Sequence, residues 1–374
     1  MKILHATSIK VPSSEFDKIG ATRIAKTFFI NNPKMYDLVA NDEPGLYSNV
    51  VNKLYHVPSC RSHGIALYNK LGEISGEYDM VIMHLQFVAF ALQITRLAQS
   101  FRNTKFVVVH HNAPDMNTDI SYRYRKEFAE HFSQPNVYTI CLTNNHRERL
   151  VGIADWLSTP EHSSDLSRIL TIYNGSEFCE TEITPISSRP FDTIVISRLD
   201  MSKYVLETLT LLLACDNVEN VLYIGDSENS SSKGDKWVSY LNDFHRLKEA
   251  HPDRLKCVGP IDNKDVCEKW MPLAKVHVNL SYLETFGLTA IEAANAGVPS
   301  IVHTKGGGLP ELVNLLDAGM VVDFSRKRFK GRVEILNDAI SRVKNIQDSK
   351  LHEVRSLCRS KFDVNTMINS YHQI

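Results

Sequence analysis

Short apolar runs rich in β-branched residues recur along this chain, and a segment of helical length separates each from the next. That alternation excludes most folds, because a strand joined to the next by a helical crossover must pair with it in parallel. The runs predict strands at residues 2–6, 37–40, 80–83, 106–110, 138–142 and 169–173, with helices at 23–30 and 89–100 among the intervening segments. Around 181–190 the sequence reads Thr-Glu-Ile-Thr-Pro-Ile-Ser-Ser-Arg-Pro, and its two prolines and several hydroxyls make an extended connection. The alternation then restarts, with strands expected at 193–197, 221–224, 255–258, 276–280, 300–303 and 320–322. The fold class is therefore α/β: two Rossmann-like, doubly wound parallel-sheet domains joined near residue 185. A chain of 374 residues suits that reading, at roughly 150 residues per domain. In open sheets of this kind ligands bind beyond the carboxyl ends of the strands, so the cleft between two such domains is the expected site.

Charge and composition remove several function classes. Lys and Arg total 42 against 43 Asp and Glu, so no global basic field exists to capture nucleic acid or an acidic membrane. The start, Met1-Lys2-Ile3-Leu4-His5, lacks the apolar core and small-residue cleavage site of a secretory signal, and the longest apolar runs fall far short of a spanning helix. A soluble, cytoplasmic protein is the expectation. Seven cysteines at irregular spacings, with no Cys-x-x-Cys, favour neither a disulfide framework nor a zinc site.

The most informative stretch runs Ser281-Tyr-Leu-Glu284-Thr-Phe286-Gly287-Leu288-Thr-Ala-Ile-Glu292-Ala-Ala-Asn-Ala-Gly297-Val-Pro299. A strand ends at Leu280 and Ala-rich helical sequence begins after Gly287. Glu284 then stands on a loop before the helix, and Glu292, eight residues on, lies within it. The amides of Phe286, Gly287 and Leu288 open the helix N-terminus, a natural cradle for phosphate. Gly297 ends the helix and Pro299 enters the next strand. Taken alone, Glu292 reads equally as a solvated helix residue and Phe286 as core.

Together with other segments, this stretch resembles the E-x7-E signature of retaining glycosyltransferases of the GT-B fold, family four. Ser197-Arg198-Leu199-Asp-Met-Ser-Lys203 looks like that family's strand-end Arg and Lys, five residues apart. Ile172-Tyr173-Asn174-Gly175 resembles the turn that ends its first domain. Tyr223-Ile224-Gly225-Asp226 and Val258-Gly259-Pro260-Ile261 match strand-end turns near the nucleotide base. Gly306-Gly307-Gly308 followed by Pro310-Glu311-Leu312-Val313 matches its glycine loop and next helix. These matches span about residues 105–374. The resemblance implies an N-terminal acceptor-side domain at 1–183, a C-terminal nucleotide-sugar domain at 184–358, and a last helix at 359–374 returning to the first domain.

Carried over residue by residue, the resemblance implies that Glu292 holds the ribose hydroxyls and Glu284 the transferred sugar. Arg198, Lys203 and the amides of Phe286, Gly287 and Leu288 would hold the diphosphate, with Gly225 and Ile261 near the base. The chemistry suits those roles. A carboxylate accepts two hydrogen bonds from a vicinal diol, and cations beside a helix N-terminus stabilise charge developing on a leaving diphosphate. No cofactor is implied and no metal, since such cations can replace a divalent ion and no Asp-x-Asp occurs in the chain.

In the first domain, Val107-Val108-Val109-His110-His111-Asn112 ends a strand in a histidine pair. The family places a His followed by Asp there, near the reacting sugar, which implicates His111, with Asn112 in the Asp position. A hydrogen-bonded strand-end histidine is the plain alternative. His110 would point the other way. The family's N-terminal glycine loop reads here Asp17-Lys18-Ile19-Gly20-Ala21-Thr22-Arg23; Gly20 would approach the donor phosphate, or simply make a turn, with Thr22 as a helix cap. Lys203 precedes Tyr204, where the family usually has glycine.

Two aromatic–basic runs remain. Ser121-Tyr122-Arg123-Tyr124-Arg125-Lys126 reads as a solvated helix face, or as a contact for a phosphorylated lipid, a polysaccharide or a nucleic acid strand. Arg326-Lys327-Arg328-Phe329-Lys330 reads as surface. The sequence thus favours transfer of a hexose from a nucleotide-diphosphate sugar, UDP-glucose by default, to a glycan, a lipid-linked glycan or another acceptor, with peripheral membrane contact as one consequence. The alternatives are transfer to hydroxymethylated pyrimidines in DNA, a nucleotide-sugar epimerase of the same architecture, and a non-catalytic sugar-nucleotide-binding relative. No G-x-G-x-x-G follows a strand, which disfavours a dinucleotide oxidoreductase.

Overall fold

A computed structural model of the chain describes residues 1–7, 20–40, 49–57, 63–85, 87–111, 125–225, 234–282 and 284–374. They form two units, one of residues 1–175 with 364–374 and one of residues 176–363. Each is built on its own sheet.

The first sheet contains β1 (Ile3–Thr7), β2 (Asp37–Ala40), β3 (Leu54–His56), β4 (Met80–Leu85), β5 (Lys105–His110), β6 (Val137–Cys141) and β7 (Ile169–Thr171), in the order β3-β2-β1-β4-β5-β6-β7. The second contains β8 (Phe191–Ile196), β9 (Val221–Ile224), β10 (Leu255–Val258), β11 (Ala274–Asn279), β12 (Ser300–His303) and β13 (Gly319–Val322), in the order β10-β9-β8-β11-β12-β13. Every pairing in both is parallel. The strands outnumber the expected ones by β3, a half-exposed edge strand of three residues. In both sheets the chain winds outward one way, returns to the centre, and winds out the other way. The strand order reverses between β1 and β4, and again between β8 and β11. At such a switch point neighbouring crossovers leave in opposite directions and open a crevice at the carboxyl ends of the two strands.

The helices that position the site residues are α1 (Gly20–Asn31), α2 (Val205–Leu213), α3 (Leu288–Asn295), α4 (Leu309–Leu316), α5 (Asp348–Lys361) and α6 (Val364–His372). In the second unit α3 is held at its C-terminal end by α5. Arg359 Nε donates to Asn295 Oδ1 at 2.8 Å, and Arg355 donates to the Asn295 carbonyl. Two guanidinium groups thereby sit where the helix dipole is negative. The last helix, α6, belongs to the first unit: Tyr36 Oη and His372 Nε2 lie 3.0 Å apart, and Lys105 Nζ donates to the Ile374 carbonyl at 2.6 Å. The two compact units part at 175/176 and 363/364, and Ser176 bridges to Asp363 within the second. Residues 176–190 therefore start the second unit, and Arg189 shows how they are fastened. Its side chain is buried, donating to the carbonyls of Thr184 (2.9 Å), Ala274 (3.0 Å) and Gly297 (2.9 Å).

Burial, helped by the nearby Arg355 and opposed by Asp348, holds the Arg189 guanidinium below its usual range, at about 10. Its donors nevertheless satisfy three carbonyls from three separate segments. Arg189→Met keeps the aliphatic volume and strips those carbonyls of their donors, so it should cost about 3–5 kcal/mol of unfolding free energy. Urea denaturation of the purified protein reads the loss, and an unchanged midpoint would show that Arg189 fastens nothing.

Candidate functional site

In the second unit the segments that carry Arg198, Lys203 and Glu284 follow β8 and β11, at the switch point, while Gly225 and Ile261 follow β9 and β10. After β8 the chain turns at Asp200, whose Oδ1 accepts from the Ser202 amide (2.9 Å) and hydroxyl (2.7 Å). The turn ends at Tyr204, in the left-handed region with φ 56°. That conformation explains why glycine suits the position, and tyrosine bears a strain of order 1–3 kcal/mol there. The Tyr204 ring packs 4.4 Å from Tyr282. Between these points the Ser281 hydroxyl donates to the Lys203 carbonyl at 3.2 Å, tying the segment after β8 to the segment after β11.

Lys203 and Glu284, 81 residues apart, form an ion pair of 2.6 Å. Their side chains are 22% and 20% exposed, so the pair is screened less than a surface bridge and remains reachable. Arg198 stands exposed nearby in sequence, with no ion pair among the described residues. Glu284 is fixed from behind by the glycine loop. Its carbonyl accepts from the Gly308 amide at 2.7 Å, and a Cβ on Gly307 (φ 65°) would collide with that same carbonyl. The Gly306-Gly307-Gly308 loop thus has a structural duty to Glu284. Gly225 has a comparable one: a Cβ there would strike the Ser197 carbonyl, to which Tyr223 Oη donates at 3.0 Å. Ile261 packs partly buried against the cluster of Ile194, Leu222 and Ile224.

Gly287 caps α3 with φ 104°, and a Cβ on it would strike Leu309 at the start of α4. Among the described residues nothing accepts from the amides of Gly287 and Leu288, which leaves two donors at the positive end of the helix. The Phe286 side chain is core, buried and 6.0 Å edge-on to Phe362, so only its backbone is available for a ligand. Glu292 is 4% exposed. A solvated helix carboxylate is excluded for it.

In the first unit the β5 histidines part company. His110 is buried with its ring 6.0 Å from His146. His111 is partly exposed, and its Nε2 lies 3.1 Å from His84 Nδ1; His84 Nε2 in turn lies 3.3 Å from His5 Nδ1. The sequence reading missed His84 and His5. Their signal was a polar histidine within each of two apolar strands, β4 beside β5 and β1 beside β4. Gly20 opens α1; residues 17–19, Asn112, residues 121–124 and most of the polar run 226–235 lie outside the described residues. Among the described residues no helix is long and apolar enough to cross a membrane.

Comparison with known proteins bears on the fold and on the second unit. Residues 183–350 match the family model described as glycosyl transferases, group 1. The matched span contains every candidate of the second unit named above. A 48-residue stretch is 48% identical to sucrose-phosphate synthase of Spinacia oleracea; it covers 13% of this chain and 4% of that enzyme, so the chain matches only a small part of its relative. Over its full length the chain superposes on Anabaena Alr3699/HepE in complex with UDP with a TM-score of 0.74 at 16% identity, covering 99% of that protein. On the sucrose-phosphate synthase of Thermosynechococcus elongatus it superposes with a TM-score of 0.70 at 16% identity, covering 98%. The fold is GT-B.

The buried histidines carry a pH signature. Burial lowers His5 to about 3, His111 to about 4 with help from His146, and His84 and His110 well below their ordinary value. A histidine depressed in the folded state contributes stability that is full above its unfolded pKa and is lost as pH falls toward the folded one. Unfolding free energy should therefore fall between about pH 6.5 and pH 4, by up to about 1.4 kcal/mol per pH unit for each such histidine. Urea midpoints at pH 7 and pH 5 test this, and equal midpoints would mean that the rings are not buried neutral.

Proposed function

We propose that the chain is a retaining glycosyltransferase that moves a hexose from a nucleotide-diphosphate sugar, UDP-glucose by default, to an acceptor hydroxyl without a metal ion. The observation that carries this reading is the convergence at one switch point of Lys203, Glu284 and two open amides at the N-terminus of α3, all within the group 1 match. That GT-B neighbours have been solved with UDP and with UDP-glucose supports the donor class.

On this reading the diphosphate lies against the α3 N-terminus, gripped by Arg198 and Lys203, while Glu292 takes the ribose diol and Glu284 the hexose hydroxyls. Gly225 and Ile261 border the base, Gly20 approaches the phosphates, and His111 faces the reacting sugar. Lys203, paired with Glu284 when no donor is bound, exchanges that carboxylate for phosphate. Lys203 then faces the phosphate, and Glu284 accepts hydrogen bonds from the hexose hydroxyls. The bond from the anomeric carbon to the phosphate oxygen breaks as the acceptor oxygen bonds to the same face. The leaving phosphate oxygen takes the acceptor proton. Charge accumulates on the diphosphate during this step, so fixed cations and amide dipoles act most strongly in the transition state.

The two glutamates separate the reading from its rivals. Glu292→Gln should weaken binding of the bare nucleoside diphosphate about 10–100-fold, the loss of a charge-assisted hydrogen bond of about 1.5–3 kcal/mol. Glu284→Gln should leave that affinity nearly intact and depress transfer from the intact sugar nucleotide. Calorimetry with UDP, GDP and ADP, beside nucleotide release from the matching sugars, measures both. Equal losses in the two variants, or none, would remove the assigned roles.

Metal independence has its own test. Nucleotide release should survive excess EDTA, because Arg198, Lys203 and the α3 N-terminus supply the positive charge. Abolition by EDTA with recovery on adding Mg²⁺ or Mn²⁺ would overturn it.

A further inference from the structure

The first unit has a switch point of its own, and three histidines line it. His5 lies on β1, His84 near the end of β4, and His111 directly follows β5; these strands are adjacent, with Thr7 level with His84 and His84 level with Val109. His5 and His84 are fully buried, and their rings stack with centroids 5.5 Å apart and planes within 9°. The His84 and His111 rings stack at 5.3 Å. Unbroken contacts of 3.3 Å and 3.1 Å run from the core to a partly exposed imidazole. Burying polar rings in an apolar sheet centre is costly, and stacking alone does not require nitrogens in register. We propose that His84, backed by His5, is a positioning residue that sets which nitrogen of His111 carries the proton. This rests on the reading in which His111 faces the reacting sugar.

The neutral relay has two self-consistent proton arrangements, since each contact needs one N–H and one lone pair. In the first, His5 Nδ1–H donates to His84 Nε2 and His84 Nδ1–H donates to His111 Nε2. In the second, every direction is reversed. The far end decides between them. His5 Nε2 is buried without a hydrogen-bond partner, and the His5 ring packs on Phe28, Phe29 and Tyr36 with ring centroids 4.7–5.1 Å apart. The second arrangement would put an N–H there with no acceptor, the rarer and costlier orphan. The first leaves only a lone pair. It gives His111 its proton on Nδ1 and an occupied Nε2. Burial keeps all three rings neutral at ordinary pH, with His372 adding to the effect on His5 and His146 to that on His111. An imidazole thereby does for His111 what a carboxylate does where an Asp pairs with a His: it fixes orientation and tautomer.

Histidine-selective ¹⁵N labelling and long-range ¹H–¹⁵N correlation spectra of the full chain report the tautomer directly. Wild type should show His111 and His84 protonated on Nδ1. His84→Asn places an amide N–H where Nδ1–H stood and should preserve the His111 signature. His84→Leu removes the donor and should shift His111 towards Nε2 protonation, lowering kcat about 10–100-fold at nearly unchanged donor KM. Asn should recover kcat relative to Leu. Should the leucine variant not fold, His84→Gln, whose amide reaches towards His5 and leaves His111 without a donor, carries the same expectation as leucine. A His111 tautomer identical in wild type, Asn and Leu or Gln variants would overturn the proposal, as would Nε2 protonation in the wild type. If no sugar nucleotide is turned over by any variant, the transferase reading fails, and the spectra still decide the relay.

Discussion

The reversal of strand order at the centre of each sheet is the constraint on which the rest depends. Right-handed crossovers from a parallel strand can cover only one face at a time, so winding from the middle outward in both directions is what covers both faces. The consequence lies at the carboxyl ends of the two central strands, where no crossover closes over the sheet. In the second unit the segments after β8 and β11 meet there, bringing together Lys203 and Glu284 across 81 residues of chain. In the first unit the same feature brings together His5 and His84. Neither pairing involves sequence neighbours. Both follow from topology.

Close backbone approach then turns an opening into a site with fixed geometry. Gly307 and Gly308 lie against the Glu284 carbonyl, Gly225 against that of Ser197, and Gly287 against Leu309. At Gly307, Gly225 and Gly287 a Cβ would push apart segments that stand in contact. These glycines do not themselves present chemistry; they let three loops stand close enough for the side chains between them to converge. The left-handed Tyr204 is the exception, a bulky residue kept where glycine would be relaxed, and its ring is packed against Tyr282.

Much of this was legible in the sequence. The strands of both cores could be read because buried parallel strands are continuous β-branched runs, and the start of α3 because Gly287 and an Ala-rich helical segment follow the end of a strand. What escaped had physical reasons. The edge strand Leu54–His56 is short and half-exposed, so it lacks the apolar run of a central strand. Ser176 bridges to Asp363 within the second unit, a contact distant in sequence, and the prolines near 185 lie in an extended stretch inside that unit. The partners of Lys203 and His111 were hidden for the same reason. A residue's type and local spacing say what it can do, while what it is paired with depends on the register of strands far away.

That distinction bears on how a reactive side chain can be kept ready without a ligand. Lys203 and Glu284 neutralise each other at 2.6 Å in a partly exposed setting, so neither has to be desolvated alone. A bare Glu284 held beside an incoming diphosphate would repel it, and a bare Lys203 in a half-buried crevice would lose hydration without compensation. Paired, each is oriented by the other and by backbone contacts that do not depend on the pairing: the Asp200 turn for Lys203 and the Gly308 amide for Glu284. On the proposed reading, a change of partner would be a matter of side-chain rotation on a backbone held by those contacts. Preorganisation in this crevice belongs to the main chain, and the charges are the part left free to rearrange.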